Sequence, residues 1–374
     1  MTALYIHIPF CLAKCPYCDF ASSTGPKWLH RPYAEAVIAE IRHTVASQQD
    51  QLTTLFIGGG TPTALAEDLL LRIIAACREL FPFAEDGEFT CEANPGTVRP
   101  SLLAALRKAG INRLSLGVQS FDDAELRLLG RLHDARAAEE AVAMSKEAGF
   151  TNFSLDLMYG LPGQRAADWR RNLETALALG PPHLSLYQLA IEAGTPFVAR
   201  YQPDRPPMPA EEEILAMDTL NQSLCGQAGL RQYEISNFAR PGYQCRHNLT
   251  YWMNESYLAV GAAAVSYVAG RRQGHLAEPE RYQAAIVKGE NAMAWSERLP
   301  PEAAFRETMV MGLRLNAGVE LARLRRRFAI DALAYYRDVL PQLIAAGLME
   351  CADGHLRLTL AGRLVANQVL AELV

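Results

Sequence analysis

Short runs of alternating or continuous apolar residues recur along the first half of the chain, each followed by a longer stretch whose apolar positions repeat every three or four residues. The first pattern places successive side chains on opposite faces of a strand, the second on one face of a helix. Strands are predicted at 4–9, 53–59, 88–94, 113–119, 152–160 and 183–190, and helices at 33–46, 69–80, 102–110, 124–131, 137–149 and 169–180. Strand–helix alternation of this kind predicts a parallel sheet with right-handed crossovers, since a parallel neighbour is reached only through a long connection. The fold class expected here is α/β, a partial (β/α)6 barrel.

The pattern changes after the sixth strand. The proline-rich PDRPPMP at 203–209 reads as a linker, followed by a helix at 211–229 and an irregular segment at 235–252. From Pro300 the chain turns helical, at 301–315 and 332–347, and then forms a hairpin at 349–359 turning on Asp353-Gly354, a pair that tolerates positive φ. The expected divisions are a core barrel over 1–205, a barrel extension over 206–295, and a small helical, winged-helix-like domain over 296–374. A winged helix alone does not license DNA binding.

Composition narrows the picture. The chain has 374 residues, half of them hydrophobic, and a formal net charge of −5. That balance argues against a nucleic-acid binder that works by neutralising phosphates. The basic run Arg323–Arg327 reads as the solvated face of a helix. No apolar run approaches the ~18 residues of a spanning helix. The first residues lack the basic stretch and small-residue cleavage site of a signal peptide, so a cytoplasmic protein is expected.

Of the eight cysteines, three lie in the loop after the first strand, as Cys11, Cys15 and Cys18 in a C-x3-C-x2-C array. A four-iron four-sulfur cluster ordinarily takes four thiolates. Three leave one iron open, and the amine and carboxylate of an amino acid can chelate it. The open iron suits the methionine end of S-adenosylmethionine, whose sulfonium bond an electron from the cluster cleaves. A zinc site of Cys3His type is the competing reading, but zinc loops favour C-x2-C pairs, and no clean second pair follows. Cys77, Cys91, Cys225 and Cys351 are expected to be core packing.

Several motifs keep a fixed order along the whole chain: YIHIPF with CLAKCPYCDF, FIGGGTP, EANPG, LSLGVQSF, LGRLHD, DLMYGLPGQ and HNLTYW. Together they resemble the HemW-type heme chaperones, relatives of the oxygen-independent coproporphyrinogen III dehydrogenases within the radical SAM superfamily. The polar motifs also fall at the C-terminal ends of predicted strands, where barrels build their sites. The resemblance implies contacts to the methionine moiety from Gly60 and Thr61. It implies further contacts to S-adenosylmethionine from Tyr5, Glu92, Gln119, Arg131 and Asp156, with Tyr17 at the adenine end. These are chemically apt types: Asp156 can accept from ribose hydroxyls, Glu92 can meet an amine, and Arg131 can pair with a carboxylate.

Two departures bear on function. The dehydrogenases resemble C-x3-C-x2-C-x-C, whereas the position of the fourth cysteine here is Phe20, which cannot ligate metal. This favours heme trafficking over oxidative decarboxylation of coproporphyrinogen III, the alternative. The resemblance also makes HNLTYW a heme-contacting motif, with His247 as axial ligand ahead of the nearby Cys245, and Tyr251 and Trp252 as stacking surface. The second departure is Val265, which stands where the family usually has a histidine, so weaker or five-coordinate heme binding is expected. The implied cofactors are the cluster, S-adenosylmethionine and heme. The implied partners are heme-accepting proteins, membrane-associated ones among them, and an electron donor such as flavodoxin or ferredoxin.

Overall fold

All the predicted strands form, and each pairs in parallel with the next through a crossover helix. The computed structural model describes residues 2–45, 51–202 and 205–374. The series runs β1 (Thr2–Ile8), α1 (Lys27–Val45), β2 (Leu52–Gly59), α2 (Glu67–Leu80), β3 (Phe83–Ala93), α3 (Pro100–Lys108) and β4 (Arg113–Gln119). It continues with α4 (Asp123–Leu128), α5 (Ala135–Glu147), β5 (Asn152–Tyr159), α6 (Ala166–Ala178) and β6 (His183–Gln188). Two of these helices start at side-chain caps: Asp122 accepts from the backbone N–H groups of Ala124 and Glu125, and Asp134 accepts from that of Ala137. Helix α1 begins before the expected Tyr33, with Pro32 inside it, because Leu29 is buried in the core and holds the extra turns in place. Its expected last residue, Ala46, and the linker residues Pro203 and Asp204 lie outside the described residues.

Burial of the sheet explains its pattern. β4 is almost wholly buried, as a strand covered on both faces should be. Leu114, Leu116, Leu155, Leu157, Leu184 and Leu186 join Leu4, Ile6, Leu55 and Ile57 in one core cluster. Segment 206–295 adds to that same cluster through Met217, Leu220, Phe238, Val260 and Tyr282. After α7 (Glu211–Gln227) come β7 (Arg231–Gln232), β8 (Asn237–Ala239), α8 (Arg246–Trp252) and β9 (Leu258–Val260). The sheet order is β7-β8-β6-β5-β4-β3-β2-β1-β9, with β9 parallel to β1 and β8 antiparallel to β6. Both outer edges of the open barrel are thus covered by strands of three residues or fewer, too short to show a period in the sequence.

An antiparallel sheet of β10 (Val265–Val268), β11 (Arg271–His275) and β12 (Met293–Arg298) follows, with α9 (Pro279–Val287) between its last two strands. The final segment opens with α10 (Pro301–Gly312) and has its own cluster, centred on Phe305, Met309, Tyr336, Leu340 and Leu356. Its hairpin turns as expected, Asp353 and Gly354 having φ of 51° and 76°. The basic run lies on a helix at Leu321–Phe328, where Arg325 and Arg326 pair with Asp331 and Glu320. The expected helix at 332–347 is two, Ala332–Tyr335 and Leu340–Ala345, since Pro341 suits only the first turn of a new helix. Cys77, Cys91 and Cys225 are buried as expected, but Cys351 is exposed: it lies on the edge strand of the hairpin near its turn, two residues beyond buried Met349.

Phe305 is fully buried and stacks with Tyr336. Phe305→Ala is expected to cost about 3–5 kcal/mol, read as a lowered unfolding midpoint for the C-terminal segment in denaturant, with the barrel's cluster undisturbed.

Candidate functional site

Parallel pairing in sequence order carries the ends of β1 to β6 to one mouth of the barrel. A cavity of about 390 Å³ opens there. Cys11, Cys15 and Cys18 line one wall, and Gly60, Thr61, Glu92, Gln119, Arg131, Asp156 and Tyr17 line the rest. Residues separated by more than a hundred positions therefore face one space.

The cysteine loop is closed at its root, where the N–H of Cys11 donates to the carbonyl of Ser23 and that of Ser23 donates to Pro9. Thr61 Oγ1 donates to Cys11 Sγ at 3.5 Å and Arg131 Nη1 to Cys15 Sγ at 3.4 Å, so two of the sulfurs already meet donors that favour thiolate. Burial pushes the Cys11 thiol up, while the Thr61 hydroxyl pulls it down. Among the described residues, no three His, Cys, Asp or Glu side chains form a group that could hold a single metal ion.

The glycine turn after β2 is a cradle. Gly59 has φ of 110°, and a Cβ on Gly60 would sit 2.8 Å from the Pro9 and Phe10 backbone. No larger residue fits between this turn and the root of the cysteine loop. Opposite, Glu92 Oε2 accepts from Gly59 N at 3.1 Å. Burial, and then the neighbouring Asp156 carboxylate, raise Glu92 to about 7. Burial also raises Asp156, which accepts from Ser115 Oγ at 2.9 Å and Ser154 Oγ at 3.1 Å. Arg131 is anchored on the Gly117 carbonyl at 2.7 Å and on Asn94 Oδ1. Gln119 stands in the left-handed region at φ 70°, a strained backbone at the end of a strand that faces the cavity.

Tyr5 and His247 lie apart from this group. Tyr5 is below the mouth, its hydroxyl 3.0 Å from His7 Nδ1. His247 is on α8, which plugs the opposite end of the barrel and lines a second cavity of about 120 Å³. Its ring is buried and stacked on Phe56, with Nδ1 2.8 Å from Thr54 Oγ1 and Nε2 2.8 Å from Tyr251 Oη. Burial, with the Arg113 charge behind it, lowers His247 to about 3, so the ring is neutral. Both nitrogens are engaged, and neither offers a free lone pair to iron in this conformation. Burial pushes the Cys245 thiol up to about 12.

Sequence reasoning missed four positioning residues. Asn94 bonds both Thr61 and Arg131, and the EANPG motif was its signal. His7 Nε2 bonds the Ala21 carbonyl at 2.8 Å and so ties the cysteine loop to β1. Glu88 caps α8, accepting from the N–H groups of Arg246 and His247 at 3.0 Å each. Arg113 lies fully buried near Glu88 and Asp156. Nothing local in the sequence marks these last two as interior groups.

This constellation defines a radical SAM iron–sulfur protein. Residues 5–176 match the Radical SAM superfamily and residues 299–365 the HemN C-terminal domain. The chain is 37% identical over 371 residues to the heme chaperone HemW of Bacillus subtilis, covering 99% of this chain and 98% of that one. It is 41% identical over 264 residues to that of Escherichia coli, covering 70% and 69% of the two chains. A solved structure, coproporphyrinogen III oxidase (HemN) from Escherichia coli, a radical SAM enzyme, superposes with a TM-score of 0.87 at 25% identity, over all of this chain and 89% of that one. The chain belongs to the HemW family. Membership of the superfamily brings with it a four-iron four-sulfur cluster and S-adenosylmethionine.

Glu88→Ala leaves two N–H groups at the start of α8, that of His247 buried, without their acceptor. The expected cost is about 1–3 kcal/mol, with faster amide exchange confined to 246–252.

Proposed function

We propose that this chain is a heme chaperone of the HemW type, which binds heme and passes it to acceptor proteins while carrying a cluster on Cys11, Cys15 and Cys18. The observation that carries the cluster assignment is the meeting of the three cysteines with the glycine cradle and two half-buried carboxylates in one cavity. When bound, the cluster supplies the electron that cleaves the sulfonium bond. The chain's own residues bind and orient. Gly60 and Thr61 take the methionine end, and Glu92, poised near neutrality, meets its amine. Arg131 pairs with its carboxylate, Gln119 supports the ligand, Tyr5 acts from below the mouth behind Glu92, Asp156 accepts from ribose, and Tyr17 packs at the adenine. Cys11→Ala, Cys15→Ala or Cys18→Ala is each expected to abolish the cluster. Iron and sulfide analysis checks this, and a normal load in any one of them would sink the assignment.

Ionised Glu92 holds an amine better than neutral Glu92 does. Affinity for S-adenosylmethionine is therefore expected to rise as pH increases through about 7 and to lose that dependence in Glu92→Gln. The stability of the free protein runs the other way. The folded carboxyl is raised above its unfolded value, so its contribution is present at low pH and is lost as pH rises through about 7. Calorimetry at a series of pH values measures both.

For heme, the names of the relatives support the reading, and His247 remains the proposed ligand on condition that α8 leaves the barrel floor and Tyr251 releases Nε2. Cys245, held protonated by burial, is the weaker candidate. His247→Ala is expected to weaken heme binding and shift the Soret band more than Cys245→Ala, with iron content unchanged. An unaltered spectrum would place the ligand elsewhere. The likeness to coproporphyrinogen III oxidase favours a second reading, radical decarboxylation, which substrate-dependent carbon dioxide release under reducing anaerobic conditions would establish. Phe20 in the fourth cysteine position weighs against it. A cytoplasmic location, a flavodoxin or ferredoxin donor and membrane-associated acceptors complete the proposal. No helix among the described residues is long and apolar enough to cross a membrane.

A further inference from the structure

We propose that Lys14 is a positioning residue for the cluster: it clasps the two limbs of the cysteine loop and holds a positive charge beside the cluster. Lys14 stands between Cys11 and Cys15, on the limb that enters the cavity, and lines the same cavity as the three sulfurs. Its ammonium group spends its donors on the limb that leaves: the Phe20 carbonyl at 2.5 Å, the Ser22 carbonyl at 3.1 Å and Ser22 Oγ at 2.9 Å. Residues 11–22 contain no helix or strand, so few backbone bonds resist their opening. The bonds that do so lie at the root, at the Cys15–Cys18 turn, where Phe197 N also donates to the Pro16 carbonyl, and on the leaving limb, where Ser22 N donates to the Phe20 carbonyl and His7 holds the Ala21 carbonyl. The Lys14 bonds join the entering limb directly to the leaving one and set where Phe20, 65% exposed, stands at the mouth. A lysine whose head group is bonded in this way differs from a solvated surface lysine, which points its donors at water.

Two consequences follow, and both rest on the cluster assignment above. Charge-assisted bonds across the loop should slow its opening and so the escape of iron. A cation fixed near the cluster stabilises the more negative, reduced state, so its removal should lower the midpoint potential. The test uses the full chain with its cluster reconstituted anaerobically, as wild type, Lys14→Met and Lys14→Arg. Lys14→Met is expected to lose iron to a chelator roughly tenfold faster and to show a lower potential in an electron paramagnetic resonance titration. Lys14→Arg, which keeps the charge and the donors, should restore the potential. The side chain is exposed, so the thermal midpoint of the cluster-free protein should not move. Wild-type iron retention and potential in Lys14→Met would overturn the proposal, as would a Lys14→Arg variant as impaired as Lys14→Met. If wild type takes up no cluster, or keeps it without Cys11, Cys15 or Cys18, the cluster assignment fails instead.

Discussion

The parallel ladder from β1 to β6 is the constraint on which the rest depends. Because each strand pairs with the next in the same direction, every strand-to-helix loop emerges at one mouth. The loop after β1 supplies sulfurs, the turn after β2 supplies glycines, and the ends of β3 and β5 supply carboxylates. None of these segments carries a site by itself. Antiparallel pairing at any one position would send its side chains to the far end, more than a strand length away.

That arrangement has an electrostatic cost, which the surrounding polar groups offset. Glu92 and Asp156 are both withdrawn from water, and the Asp156 carboxylate raises the proton affinity of Glu92. Ser115, Ser154 and the Gly59 N–H donate to them, and Arg113 stands behind them. A cationic ligand at the mouth would relieve the remaining repulsion, so the protein is built to bind what it lacks when free. Asn94 belongs to the same economy, linking Thr61 on the glycine side to Arg131 on the cysteine side.

The other end of the barrel is closed by α8, and this helix is also the joint with the C-terminal segment. Asn254, just after it, donates to Thr308 Oγ1 at 2.9 Å and to Glu307 Oε2 at 3.1 Å, both on α10. Arg314 stacks over Trp252, and Arg323 pairs with Glu255. The HNLTYW segment is thus held from above by Glu88 and Thr54 and from below by α10. Any role for His247 at a heme is coupled to how firmly both sides grip it.

The sequence by itself determined what depends on near neighbours along the chain. Alternation and three-to-four periodicity specified the strands and helices of the barrel, three closely spaced cysteines specified a cluster loop, and Asp353-Gly354 specified a hairpin turn. Tertiary structure decided whatever depends on partners far away in sequence. Strands β7, β8 and β9 exist because β6 and β1 offer open edges, and three residues are too few to carry a period. Cys351 is exposed and Cys91 buried although both sit in strands, because Cys91 is on an interior strand of the large sheet and Cys351 on the edge strand of a small one. His247 was legible as a histidine in a distinctive motif. Its burial, its two occupied nitrogens and its distance from the cysteines were not, because Thr54, Phe56 and Glu88 reach it from β2 and β3, and only the folding of the sheet brings them there.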